Sequence, residues 1–288
     1  MRLTSLGEIL WDLIGGQELL GGATFNFSVQ LSRLGHDVSF ISAVGDDVRG
    51  RRALQMAAQL GLSTEFIRIV DDAPTGTVSV TVDAQGQPSY VLHRPAAYDF
   101  AAIPARPLDP QWIYHGTLHF IEPRMRALLL ELLRHYPEAR RFYDINLRKD
   151  SYTVPLVLEL LELADVVKLN DDELVQVQQM AGTTHASTEA FCRDYVSRFH
   201  WDAVCVTRGE RGCAILKNGE YAESAGISVK VADAVGAGDA FAAAFLHGLD
   251  QGWPAARIGA FANRLGALIA SRPGGVPEWS WNELQEVG

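Results

Sequence analysis

Residues 141–180 run RFYDINLRKDSYTVPLVLELLELADVVKLNDDELVQVQQM, and the change of period along them decides the fold class. Arg141–Ile145 and Val166–Leu169 are short runs rich in aromatic and β-branched residues, the composition of strands. Pro155–Leu163 and Asp172–Met180 instead repeat apolar residues at helical spacing, which gives each a single face to bury. Strand, helix, strand, helix in so short a span calls for crossovers between parallel strands rather than hairpins. The same alternation extends outward. Val38–Val44, Thr77–Val82, Trp112–Tyr114 and Ala203–Thr207 read as further strands, and Phe25–Leu34 and Arg126–Leu133 as further helices. The expectation is an α/β protein with a mostly parallel sheet and helices on both faces. No Pro/Ser/Gly-rich linker, repeat or low-complexity stretch divides residues 1–288, so one domain is expected.

The N-terminal third breaks the alternation. Residues 7–22, GEILWDLIGGQELLGG, read as a strand, a turn at Gly15-Gly16 and a return strand. Residues 76–94, GTVSVTVDAQGQPSYVLHR, read as two strands around the turn Asp83–Pro88. Two such hairpins could form a small antiparallel sheet. A lid over a cleft and an ordinary edge extension of the main sheet both fit the pattern.

The 288 residues carry 25 Lys+Arg against 35 Asp+Glu, a net charge of −10, and 48% are hydrophobic. That composition is globular, and its acidity argues against a sequence-independent grip on nucleic acid. It leaves room for an anionic ligand, because backbone N–H groups at a helix start bind phosphate without net positive charge. The three cysteines, Cys192, Cys205 and Cys213, show no C-x-x-C spacing and read as buried thiols in a reducing compartment. The opening residues do not resemble a signal peptide and no apolar run reaches membrane-spanning length. The expectation is a soluble, cytoplasmic protein.

The chemistry concentrates in Asp233-Ala234-Val235-Gly236-Ala237-Gly238-Asp239 and the helix that follows to about Asp250. Gly-Ala-Gly at a helix mouth lets a ligand approach free N–H groups and the positive end of the helix dipole, with Asp239 alongside. An acid that merely caps its helix is the simpler alternative. The segment is neither a P-loop nor a G-x-G-x-x-G turn, which disfavours a P-loop ATPase and a nicotinamide dehydrogenase.

Residues 233–248 resemble the C-terminal signature of the PfkB, or ribokinase-like, sugar kinases. Four further elements of that family follow in its order: Gly21-Gly22 through Asn26, Gly45-Asp46-Asp47-Val48-Arg49-Gly50, Asn170-Asp171-Asp172-Glu173, and Thr207-Arg208-Gly209. The resemblance covers essentially the whole chain. It is closest to fructokinases through Gly7-Glu8 with Asp12, Pro74-Thr75-Gly76-Thr77, Ala97-Tyr98-Asp99-Phe100 and Asp144-Ile145-Asn146-Leu147-Arg148. Ala234 departs from the family's usual Thr, and Thr24 from the Pro frequent in fructokinases.

The resemblance implies a three-layer α/β/α core with lid segments near 10–22 and 76–100, and transfer of the γ-phosphoryl of ATP to a sugar hydroxyl. D-fructose at O6 is the leading acceptor; 2-keto-3-deoxygluconate, ribose and a nucleoside are alternatives. Little positive charge beyond Arg94 in the lid segments disfavours a phosphorylated acceptor. It makes Asp239 the base, with its pKa lowered by the helix start, and the N–H groups of Gly236, Ala237 and Gly238 the anion hole. Sugar contacts fall to Asp12, Gly22 and Asn26; Tyr98 and Phe100 could cover the sugar or simply pack in the core. Thr207, Gly209, Gly236 and Gly238 would meet the phosphates, and Asn263 the adenine side unless it is solvated. Arg148 would meet a phosphate or form a surface ion pair. Asn170 and Glu173 would organise Mg²⁺ through water, or form only an acidic first turn. Carbonyls at Asp233, Val235 and Gly274 match a K⁺ site, although Glu278 stands where some relatives carry Ser. Apolar lid hairpins suggest a homodimer. A non-catalytic sugar or nucleotide sensor is the alternative of another class.

Overall fold

Short apolar runs and amphipathic segments sort in space into two sheets and a shell of helices. The computed structural model describes residues 1–82 and 88–287. The chain opens with β1 (Arg2–Leu6), the hairpin β2 (Leu10–Ile14) and β3 (Gln17–Gly21), α1 (Ala23–Arg33), β4 (Asp37–Gly45), α2 (Val48–Gln59) and β5 (Ile67–Val70). A second hairpin, β6 (Gly76–Val82) and β7 (Pro88–His93), precedes β8 (Trp112–His115), α3 (Pro123–His135), β9 (Arg140–Asp144), α4 (Val154–Leu163) and β10 (Val166–Asn170). Then come α5 (Asp171–Ala181), α6 (Thr188–Phe199), β11 (Ala203–Thr207), β12 (Cys213–Lys217), β13 (Glu220–Ser224), α7 (Ala237–Asp250), α8 (Ala255–Ala270) and α9 (Trp281–Glu286).

The large sheet has nine strands in the order β13-β12-β11-β10-β9-β8-β1-β4-β5. All its pairings are parallel except β11–β12 and β12–β13 at one edge. Both faces are buried, and the alternation of side chains is visible residue by residue. Along β11, Ala203 and Cys205 enter a core shared with α1, α2, α7 and α8; Val204 and Val206 enter another shared with α3, α4, α5 and α6. This is the three-layer arrangement expected of a parallel sheet covered twice. Phe27 on α1 lies at the centre of the first core, stacked on Tyr114 at 3.5 Å and edge-on to Phe142 at 6.0 Å.

The hairpins do form a second sheet, β3-β2-β6-β7, but it is mixed rather than antiparallel. β2 and β6 run parallel where the hairpins meet. The turn expected at Asp83–Pro88 lies outside the described residues except for Pro88, which starts β7. Ion pairs fasten this sheet to the body: Glu18 accepts from Arg49 at 2.7 Å and from Arg52 at 3.0 Å, and the Arg52 guanidinium lies 4.3 Å from the Trp11 ring. On the other side of the hinge, Asp47 caps α2 through Gly50 N–H at 2.7 Å and accepts from Thr75 N–H at 2.8 Å.

Because β1 sits between β8 and β4, the chain builds the sheet outward in both directions from there. The crevice beyond the carboxyl ends of strands at such a reversal is where open α/β sheets take ligands. Replacing Phe27 with Ala should cost about 3–5 kcal/mol of unfolding free energy, measured by chemical denaturation.

Candidate active site

Two helices begin at that crevice, and both begin at glycine. Gly22 precedes α1 with φ 112°, and a side chain there would come within 2.7 Å of the Glu8 carbonyl. Gly236 precedes α7 with φ 78°, and a Cβ would lie 2.0 Å from the carbonyl oxygen of Gly275. The backbone can approach itself this closely only without side chains. α7 starts at Ala237, slightly ahead of the expected Asp239. The N–H groups of Gly236 and Gly238 donate to no acceptor among the described residues, whereas that of Ala237 reaches the Ala234 carbonyl at 3.3 Å. The expected anion hole therefore keeps two free donors rather than three.

Asp239, in the first turn of α7, is joined to Asn26 of α1: Asn26 Nδ2 donates to Asp239 Oδ2 at 2.9 Å. Asn26 is buried, and its Oδ1 has no partner among the described residues. Gly275 packs against the same amide, where a Cβ would lie 3.0 Å from Asn26 Nδ2, tighter than ordinary contact. Asp12 projects from β2 toward the pair; its Oδ2 would lie 2.9 Å from a Cβ on Gly21. Arg148, exposed and without an ion-pair partner among the described residues, acts electrostatically on both Asp12 and Asp239. The surface ion pair considered for it does not form. The chain thus brings together residues 12, 22, 26, 148 and 239.

Burial dominates the titration here. It pushes the Asp239 carboxyl up to about 7, against the opposing Asn26 hydrogen bond, with the Asp144 charge adding to the rise. The lowering expected from the helix start is overturned, because removing the carboxylate from water outweighs the dipole. Asp12 is likewise pushed to about 6 by burial, with Arg148 opposing. Beneath them lies a group not singled out from sequence: Lys168 Nζ, buried, donates to both oxygens of Asp144 at 2.9 and 3.0 Å. A lone lysine in the apolar run of β10 was the available signal. Glu8, also buried, accepts from Thr24 N–H and Oγ1, each at 3.2 Å.

Asn170 and Glu173 form a reciprocal cap at the start of α5. Asn170 Oδ1 accepts from Glu173 N–H at 2.8 Å, and Glu173 Oε2 from Asn170 N–H at 2.8 Å. Glu173 Oε1 also accepts from Leu147 N–H at 2.8 Å, which ties the loop carrying Arg148 to α5. Asp144, Glu173 and Asp239 all act on the single Lys168, an excess of negative charge that suits a hydrated divalent cation. Among the described residues no three His, Cys, Asp or Glu side chains are set to ligate an ion directly.

On the far side of the α7 mouth lies a cleft of ≈ 570 Å³, which fits a nucleotide. Thr207, Gly209, Ala237, Gly238, Phe241 and Asn263 contribute to its walls. Asn263 is not solvated: it is buried, and its Nδ2 donates to the carbonyls of Ser224 at 3.3 Å and Ala225 at 2.9 Å. Asp233 clamps the loops beside the cleft, accepting from Val235 N–H at 3.0 Å and Gly274 N–H at 3.1 Å. The carbonyls of Asp233, Val235 and Gly274 receive no backbone hydrogen bond among the described residues. Tyr98 and Phe100 belong to the packing instead of the crevice. Tyr98 is fully buried with Leu10 and Val78, and Phe100 packs on Ala43, Val70 and Ala97.

An α/β/α core, a small second sheet hinged over a crevice, and an acid at the mouth of a helix beside a nucleotide-sized cleft define a small-molecule kinase of the ribokinase-like fold. The chain belongs to the pfkB family of carbohydrate kinases, whose model matches residues 15–281, and it is an ATP-dependent sugar kinase. It is 30% identical to a fructokinase of Klebsiella pneumoniae over 86% of this chain and 84% of that one. It is 29% identical to an aminoimidazole riboside kinase of Salmonella typhimurium, over 88% and 82%. Its fold matches that of a fructokinase double mutant from Vibrio cholerae, solved with fructose, ADP and potassium ion, at TM-score 0.84 and 24% identity, covering 100% and 98% of the two chains. No helix among the described residues is long and apolar enough to cross a membrane.

The folded protein holds the Asp239 proton more tightly than the unfolded chain does, so this group favours folding at low pH and the benefit is lost as pH rises through about 7. Asp239→Asn cannot ionise. It should be more stable than the parent by up to about 4 kcal/mol at pH 8, with a smaller gain at pH 5, read as paired thermal melts.

Proposed function

We propose that the protein phosphorylates D-fructose at its primary O6, using ATP with Mg²⁺. The observation that carries this reading is the half-buried Asp239 carboxylate sharing the mouth of α7 with the free N–H groups of Gly236 and Gly238. Phosphoryl transfer passes through a loose transition state, so positioning and charge stabilisation supply most of the rate. Asp239 holds the sugar hydroxyl in line and takes its proton as the bond from O6 to phosphorus forms and the bond to the ADP oxygen breaks. The free N–H groups stabilise charge on the migrating group. Asp12 accepts hydrogen bonds from sugar hydroxyls, the unpartnered Asn26 Oδ1 accepts another, and Gly22 lets the sugar lie against the α1 backbone.

Thr207 and Gly209 line the phosphate end of the nucleotide cleft and Asn263 its base end. Arg148 meets the transferring phosphate. Glu173 and Asn170 would hold, through water, the Mg²⁺ that accompanies ATP, which would supply charge neutralisation on the phosphates. The carbonyls of Asp233, Val235 and Gly274 would hold K⁺, which adds positive charge beside the anion hole. A second reading, 2-keto-3-deoxygluconate as acceptor, draws on Arg148, whose unpaired guanidinium near Asp12 would suit a carboxylate. We place the enzyme in the cytoplasm as a homodimer joined through the lid sheet, whose Leu19 and Val91 are 37% and 51% exposed.

An ADP-release assay across fructose, 2-keto-3-deoxygluconate, ribose, glucose and adenosine tests the acceptor; fructose should give the highest kcat/KM, and a preference for any other acceptor overturns the assignment. Asp239→Asn should retain sugar binding and lose roughly 10²–10⁴-fold in kcat. Because only the ionised carboxylate accepts a proton, parent activity should rise with pH and level off above about 7. Sedimentation should give a dimer that Leu19→Arg converts to monomer.

A further inference from the structure

Away from the crevice, α7, α8 and α9 enclose a second cavity of ≈ 400 Å³. Four rings line it. Phe261 stands edge-on to Trp253 at 5.2 Å, faces His247 at 5.5 Å, and lies nearly parallel to Trp281 at 6.2 Å with 25° between the planes. Trp281 remains 46% exposed, a large aromatic face left half open. The His247 ring is fixed by a 2.8 Å hydrogen bond to His36.

Two guanidiniums, Arg257 and Arg264, stand two helical turns apart on the same face of α8 and line the same hollow. Arg257 lies 3.9 Å from the Trp253 ring. Neither arginine has a carboxylate partner among the described residues. The hollow thus sets two unpaired guanidiniums against aromatic walls in a chain of net charge −10. Guanidinium forks match phosphate and carboxylate oxygens, and aromatic faces take a flat ring. A neutral sugar would leave the charges unmet, and a small inorganic anion would leave the rings unused.

We propose that this cavity binds a planar aromatic anion about the size of a nucleoside monophosphate, its ring against Phe261 and Trp281 and its anionic group between Arg257 and Arg264. The site is separate from the nucleotide cleft. Asn263 of α8 turns toward the Ser224 and Ala225 carbonyls on the cleft side, while its neighbours Phe261 and Arg264 serve the second cavity.

The test is calorimetric titration of AMP into the full chain saturated with a non-hydrolysable ATP analogue. One further equivalent of AMP should bind. Adenosine and ribose 5-phosphate, each lacking half of the ligand, should bind at least about tenfold more weakly, the size of effect expected for one lost charge-assisted or stacking contact. Arg264→Ala and Trp281→Ala, both at exposed side chains, should each weaken AMP about tenfold or more while leaving kinase turnover unchanged. Absence of the extra equivalent, equal binding of adenosine, or full AMP binding in both variants overturns the proposal. If the analogue itself does not bind, the same two variants read AMP in its absence, so failure of the kinase reading and failure of this site are told apart.

Discussion

The hydrogen bond from Asn26 to Asp239 is the contact on which the rest of the site depends. It joins the mouths of two helices that lie at opposite ends of the sequence, and it sets their separation to that of one amide and one carboxylate. Everything nearby is arranged to let backbone come that close. Gly22 and Gly236 accept the positive-φ conformations that the helix starts require, and Gly275 lies against the Asn26 amide where a Cβ would crowd it at 3.0 Å. The geometry is therefore enforced by the absence of side chains as much as by their presence.

That closeness has an electrostatic cost. Asp239, Asp144, Glu173 and Glu8 are all buried or nearly so, with Lys168 as the one buried cation among them. Lys168 and Asp144 satisfy each other through two hydrogen bonds, while Glu173 is opposed in its burial first by the Lys168 charge and then by backbone donors at the α5 cap and the loop before it. Asp239 is the least compensated. A fold selected for stability alone would place an apolar residue or an amide there; carboxyls displaced this far from their usual titration range cluster where proton transfer is done.

The sequence made the central architecture legible because its strands are short, apolar and separated by single-faced helices; β4, β9, β10 and β11 fall within a residue or so of where their periodicity places them. α2 gave no such signal, since VRGRRALQMAAQ buries little beyond Gly50, Ala53 and Ala57. The edge strands β5 and β13 were missed for a related reason: an edge has only one neighbour to impose a pattern. At the site, local chemistry was readable and context was not. Gly-Ala-Gly-Asp announced a helix mouth. The upward shift of Asp239 comes first from burial, with Asp144 of β9 adding to it against Asn26 and Lys168, and Asn263 is held by carbonyls at and just after the end of β13, none of which spacing can reveal. For Tyr98 the sequence left cover over the sugar and core packing both open, and its small core with Leu10 and Val78 depends on strands that only the fold brings together.

The sheet grows in both directions from its first strand, and that has a consequence for biosynthesis. The small sheet, α1 and the crevice groups Asp12 and Asn26 of the first third leave the ribosome long before α7 does, yet the crevice they form lacks its floor until residues 233–275 arrive to close it. A nascent chain can thus fold much of its scaffold while remaining chemically inert, and competence is conferred only near the end of translation.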